Sequence, residues 1–220
     1  MGVEVDFYYD VVSPWSYIGF EVLLRYEKEW DLDITFKPVF LGGVMQASGN
    51  KPPATLPAKA TYGMSDLTRS SEYFDIPISF PSVFPTNTIQ PQRFLHALIK
   101  DGKSEQIPKI SRAFWQAYWG GKGIDIGAPE GKGIKEALAG VLSDGEIQRL
   151  LEIAVSAEVK EKLKEITQEV IDLGAFGAPW ISVKLPGKEP EVFFGSDRFH
   201  LIGRLIGKEY NGPFPRRSKL

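Results

Sequence analysis

Three short segments carry the residue types that could do chemistry, and none can offer a thiol, because the 220 residues include no cysteine. The first is Ser13-Pro14-Trp15-Ser16, directly after an apolar run. A serine followed by proline at a helix start sets its hydroxyl among unpaired N–H groups, at the positive end of the helix dipole. Serine cannot exchange disulfides, but its hydroxyl can donate to the thiolate of another molecule. A thiol of pKa near ~8.5 needs only about 2 kcal/mol of differential stabilisation to ionise largely at neutral pH, roughly what one hydroxyl and a helix N-terminus supply. Ser13 is as readily an ordinary N-cap. The second segment, GAFGAPW, sets Pro179 among small residues just before a strand-like run; a trans proline opening a strand is the plainer reading. The third, Phe194-Gly195-Ser196-Asp197-Arg198, offers backbone donors for a carboxylate and an Asp side chain for an ammonium group. Alone, that pentapeptide reads better as a capping turn. The two histidines, His96 and His200, lie far apart with no paired ligand spacing, so no metal is expected.

The elements that must position these residues follow from pattern. VEVDFYYDV, residues 3–11, reads as a strand and ends beside Asp10, which as a strand-end Asp reads as a cap or turn residue. Pro14 opens a helix with Ile18, Val22 and Tyr26 on one face and Leu23 beside them. DITFKPVFL, residues 33–41, reads as a second strand with Pro38 at an edge or bulge. Helical patterns are expected over 93–100, 111–119, 133–142, 144–154 and 157–173, interrupted by the irregular Pro-rich stretches KPPATLP and IPISFPSVFP. PWISVKL and EVFFGS read as two strands joined by PGKEP, and Ser196-Asp197 is expected to open a last helix with Phe199, Leu201, Ile202 and Leu205 as its apolar positions. The order is βαβ, a helical block, then ββα: an α/β, thioredoxin-like fold of DsbA type. The expected division is a thioredoxin-like domain from 1–45 and 174–220, with 46–173 as the inserted helical domain.

In thioredoxin-like proteins a Cys-x-x-Cys occupies the helix start that Ser13–Ser16 occupies here, and a cis-proline faces it from the place of Pro179. YYDVVSPWSYIGFEVLLRY resembles the N-terminal signature of kappa-class glutathione transferases and of their bacterial relatives, the 2-hydroxychromene-2-carboxylate isomerases. SGNKPP, GAFGAPW and FGSDR resemble further motifs of the family, so the likeness runs from Val3 to the final helix. It implies that Ser13 is the catalytic serine contacting the glutathione sulfur, with Pro14 and Trp15 walling the thiol site. It implies further contacts from Asn50, Lys59 and Asp66, pairing of the cysteinyl backbone with Ala178 before Pro179, and a hold on the γ-glutamyl end by Ser196 and Asp197. Trp15 stands where Tyr is commoner and Ala178 where a larger apolar residue is, which reshapes the pocket for the electrophile. The implied reaction is attack of the glutathione thiolate on a small apolar electrophile or a peroxide, in a detoxifying homodimer with glutathione as co-substrate and no metal.

Two other readings stand beside it: a glutathione-dependent isomerase using the same pocket, and a non-catalytic chaperone or assembly factor. A disulfide oxidoreductase is excluded by the missing cysteines. The formal net charge of −2 supplies no basic excess for a nucleic-acid partner. No secretory signal or membrane span is expected. Ser218-Lys219-Leu220 spells a peroxisomal address, with the mitochondrion as the alternative location and a solvated basic tail as the plainer explanation.

Overall fold

The computed structural model describes residues 2–215, so the Ser218-Lys219-Leu220 address lies outside the described residues. Four strands form one sheet in the order β2-β1-β3-β4: β1 (Val3–Tyr9), β2 (Leu32–Pro38), β3 (Trp180–Lys184) and β4 (Glu191–Phe194). β1 and β2 are parallel, joined by the crossover helix α1 (Pro14–Trp30), while β3 runs antiparallel to both β1 and β4. The period of two sends Val5, Phe7 and Tyr9 with Ile181 and Val183 to one face, and Tyr8 with Trp180 to the other.

The first face is sealed by α1, whose Ile18, Val22, Leu23 and Tyr26 are fully buried as their spacing predicted. Phe7, Tyr9, Phe20, Phe36 and Trp115 form one aromatic cluster there, with Tyr9 and Phe20 centred 5.3 and 4.9 Å from Trp115. Each such ring taken from water contributes about 1.5–3 kcal/mol. Trp115 belongs to α5 (Ile107–Tyr118), so the cluster locks the helical segment onto the sheet. The second face is covered at the site end by α2 (Leu41–Ser48) and α8 (Ala157–Asp172) through Leu41, Val44, Ile166 and Val170.

The remaining helices are α3 (Pro57–Phe74), α4 (Ile89–Lys100), α6 (Lys132–Leu138), α7 (Asp144–Ala154) and α9 (Phe199–Ile206). The helix expected over 133–142 ends at Leu138, and other features depart further from the sequence expectation. The second strand stops at Pro38: the Val39 N–H still reaches the Tyr9 carbonyl at 2.9 Å, but Phe40 is already the N-cap and Leu41 the first residue of α2. α3 carries no legible pattern because only Leu67 and Phe74 of its 18 residues are buried. The last helix begins at Phe199 behind Arg198, so Ser196 and Asp197 precede its cap rather than open it.

Candidate active site

Ser13 is the N-cap of α1, with extended backbone (φ −88°, ψ 118°) and a 6% exposed side chain. Its Oγ accepts the Ser16 N–H at 3.1 Å, which is the bond an N-cap makes, and donates to the Ala178 carbonyl at 3.2 Å across 165 residues of chain. Pro14 occupies the first helical position, where its missing N–H would be unpaired anyway. Trp15 is half-buried against the main core. The Ser16 hydroxyl is buried with no partner among the described residues.

Ala178 and Pro179 are joined by a cis peptide bond and lie just outside the strand ladder that starts at Trp180. Pro179 packs onto α1 at Gly19, where an added Cβ would sit 3.2 Å from the proline Cγ. A residue with no side chain at that point lets the proline loop reach the helix start. The Pro179 carbonyl accepts the Gly195 N–H at 3.0 Å, bringing the turn before Ser196 alongside. Gly195 has φ 98°, a conformation that a side chain would strain. Ser196 is buried behind it; Asp197 is exposed and pairs with Arg198 at 2.7 Å.

Asn50 follows the left-handed Gly49 that ends α2, and its Nδ2 donates to the Phe176 carbonyl at 2.7 Å. That bond places Asn50 two residues from Ala178 along the GAFGAP turn. The Phe176 ring packs 4.5 Å from Phe194, centre to centre, on the strand leading to Ser196. The segments holding Ser13, Asn50, Ala178, Pro179 and Ser196 are thus linked by contacts one to the next. Lys59 and Asp66 lie on α3, which packs against α1, and no hydrogen bond or ion pair joins either to this group among the described residues.

Several residues of the site drew no attention in the sequence. Trp115 donates its indole N–H to the Ser13 carbonyl at 3.2 Å, and Trp119 donates to the Val12 carbonyl, also at 3.2 Å. Two tryptophans four apart share a helix face, and buried indoles need acceptors; that was the available signal. Phe80 and Phe84 flank Trp119 at 5.7 and 5.5 Å, yet are 50% and 39% exposed. They form a partly exposed apolar shelf against Trp119, whose indole holds the Val12 carbonyl next to Ser13, and residues 76–87 around it contain no charged side chain. Beneath the turn lies Asp10, fully buried, with burial pushing its carboxyl up to about 6 against the pull of three hydrogen bonds.

A helix start with a buried hydroxyl, a backbone carbonyl opposite and no cysteine can bind and ionise a thiol that it does not itself own. The DSBA-like thioredoxin domain model matches residues 4–207. Glutathione S-transferase kappa 1 of Homo sapiens is 36% identical over 216 residues, covering 96% of this chain and 94% of its own. A 2-hydroxychromene-2-carboxylate isomerase of Pseudomonas sp. (strain C18) is 28% identical, covering 93% of this chain and 91% of its own. A solved 2-hydroxychromene-2-carboxylate isomerase structure superposes with a TM-score of 0.71 at 24% identity, over 93% of this chain and 94% of that one.

Proposed function

From the premise that this chain belongs to the kappa-class glutathione transferases, on a DsbA-like thioredoxin fold, we propose that Ser13 ionises bound glutathione for attack on an apolar, aromatic electrophile. The observation that carries the reading is the Ser13 hydroxyl at the N-terminus of α1, opposite the Ala178 carbonyl at 3.2 Å. The cysteinyl residue of glutathione pairs as an extended strand with the Ala178 N–H and C=O, which lie just off the sheet. That seats its sulfur at the Ser13 hydroxyl, which turns from Ala178 to donate to it. Helix N–H groups add to the stabilisation of the thiolate. Asn50 and the 194–198 turn take the flanking ends of the tripeptide, Asp197 accepting from the α-ammonium and the turn's N–H groups meeting the α-carboxylate. Lys59 and Asp66 approach from α3.

The thiolate then forms the carbon–sulfur bond while the electrophile's leaving group departs with its electron pair; the thiol proton has already passed to solvent. The enzyme contributes ionisation and orientation. The Phe80–Phe84 shelf holds the acceptor, and its lack of charge favours neutral aromatic rings. The same thiolate could also attack a peroxide oxygen, releasing the alcohol and leaving a glutathione sulfenic acid that a second glutathione converts to the disulfide and water; detoxification is the role either reaction would serve. The full chain, assayed for glutathione conjugation of a chlorodinitrobenzene-type acceptor, should turn over, and replacing both Phe80 and Phe84 by Ala should lower kcat/KM for that acceptor with glutathione affinity unchanged. No glutathione binding by calorimetry would sink the proposal and leave the chaperone reading.

The likeness to hydroxychromene isomerases supports a second reading, in which the thiolate adds to an unsaturated acid and leaves again. Isomerisation without conjugation in parallel assays would select it. The homodimer remains a proposal, checked by sedimentation. Peroxisomal location rests on the terminal tripeptide alone: a fluorescent protein fused at the N-terminus should be peroxisomal, and deleting Leu220 should disperse it.

A further inference from the structure

Three helices begin at one buried carboxylate. Asp10 Oδ1 accepts the Val12 N–H at 3.0 Å in the turn that leads into α1. Its Oδ2 accepts the N–H of Leu41, the first residue of α2, at 2.9 Å, and the hydroxyl of Thr88, just before α4, at 3.0 Å. The Asp10 carbonyl accepts the Ser13 N–H at 3.0 Å. Neither Phe40 at the start of α2 nor Thr88 at the start of α4 caps its own helix with a side chain. The Asp10 carboxylate, just past the end of β1, caps α2 through the Leu41 N–H and holds the entry to α4 through the Thr88 hydroxyl, and an anion there complements the positive ends of the helix dipoles.

Each of these helix starts governs a different part of the site. α1 carries Ser13. α2 ends at the Asn50 arm, whose amide holds the Phe176 carbonyl. Thr88 closes the segment that carries Phe80 and Phe84. On the glutathione reading above, we infer that Asp10 is a positioning residue: its carboxylate fixes the Ser13 turn, the Asn50 arm and the aromatic shelf in one mutual register without touching substrate.

The chemistry of the contacts makes that register depend on charge. All three partners are donors, and an ionised carboxylate accepts from all of them. A protonated carboxyl needs an acceptor for its own O–H; of the three partners only the Thr88 hydroxyl can turn to accept, which ends its donation to Asp10. The other titratable groups that face this charge are phenols, Tyr9 from β1 and Tyr118 from α5. Burial first, and the charge of Asp10 among the lesser causes, keeps both protonated throughout the working range. Asp10 itself changes charge around 6, because burial outweighs its three donors.

S-methylglutathione separates this titration from that of the thiol, since it has no sulfur proton, and its carboxylates and amine ionise near ~3.5 and ~8. Calorimetric titration of the full chain between about pH 5 and about pH 7.5 should show affinity falling severalfold on the acid side, centred where Asp10 protonates. Thr88→Val removes a donor that favours the ionised form, so the same fall should move to higher pH. Asp10→Asn should bind more weakly at neutral pH and show no acid limb. Melting curves on every sample at each pH separate slackened binding from unfolding. Should Asp10→Asn fail to fold, the parent profile and the Thr88→Val displacement still decide the matter. A parent affinity that is flat or rises on acidification, or a Thr88→Val midpoint that does not move, overturns the inference while glutathione binding stands. No binding at any pH overturns the glutathione reading, and this inference with it.

Discussion

Ser13→Ala tests two functions of one oxygen, and the structure sets a separate magnitude for each. As N-cap, Oγ satisfies the Ser16 N–H at 3.1 Å in a buried setting. Its loss costs about 1 kcal/mol, or roughly 2–4 °C in melting temperature for a chain of this size. As thiolate donor, the hydroxyl makes a hydrogen bond to a charged acceptor, typically worth ~1.5–3 kcal/mol. At about 1.4 kcal/mol per pKa unit, the bound thiol should rise by one to two units, cutting the neutral-pH thiolate fraction and kcat about ten- to a hundredfold. Glutathione affinity should change far less, because the ends of the tripeptide are held elsewhere. The assay is the ultraviolet absorbance of the bound thiolate against pH, with melting curves on the same samples. Ser13→Thr keeps both the cap and the donor and should recover most of the ionisation. If Ser13→Ala melts lower but titrates its bound thiol like the parent, Ser13 is a cap and the proposed mechanism is wrong.

Asp197→Asn should weaken glutathione about ten- to a hundredfold by removing one charge-assisted contact. Melting temperature should barely move, because among the described residues Asp197 pairs with Arg198 alone, in an exposed pair of little worth. A clear drop in melting temperature with unchanged affinity would remove Asp197 from the site. Gly19→Ala pushes a methyl to 3.2 Å from the Pro179 Cγ; overpacking of about 1–3 kcal/mol, offset by about 1 kcal/mol of helix propensity gained inside α1, should leave a net loss of up to about 2 kcal/mol by denaturant titration. It should also depress turnover through the displaced Ala178 carbonyl, and an alanine variant as stable and active as the parent would show the contact to be slack. For Asp10, the folded state raises the carboxyl from 3.8 to about 6, so the folded chain holds a proton that the unfolded chain has lost between those values. Its contribution to stability is therefore full below 3.8 and lost as pH rises through 6, at up to about 1.4 kcal/mol per unit. The difference in melting temperature between parent and Asp10→Asn should accordingly move in the parent's favour on acidification; movement the other way refutes the burial argument.

The succession of strands and helices along the chain, the crossover helix among them, was legible because local rules act on neighbours in sequence. Alternation marked β1, four-residue spacing marked α1 and α8, and Ser13-Pro14 marked a helix start whose cap the structure shows. α2 and α3 were not legible. α2 owes its start to the carboxylate of Asp10, some thirty residues earlier at the end of β1, and α3 buries too few residues to leave a period. The absence of cysteine, by itself, ruled out disulfide exchange and moved the chemistry to a borrowed thiol. Motif likeness alone pointed to the kappa class, and the 36% identity to a kappa-class glutathione transferase over 96% of this chain bears out that membership.

Only the tertiary structure decided what surrounds Ser13. The Ser13 hydroxyl meets Ala178 across 165 residues, Trp115 and Trp119 reach back some hundred residues to brace its turn, and Asp10 gathers three helix starts. Such contacts leave no periodic trace, because they form between segments brought together by burial of an aromatic core rather than by neighbouring backbone. A strand-end aspartate reads locally as a turn residue. Its isolation from water, which raises its pKa and makes its charge consequential, exists only once the chain has closed around it.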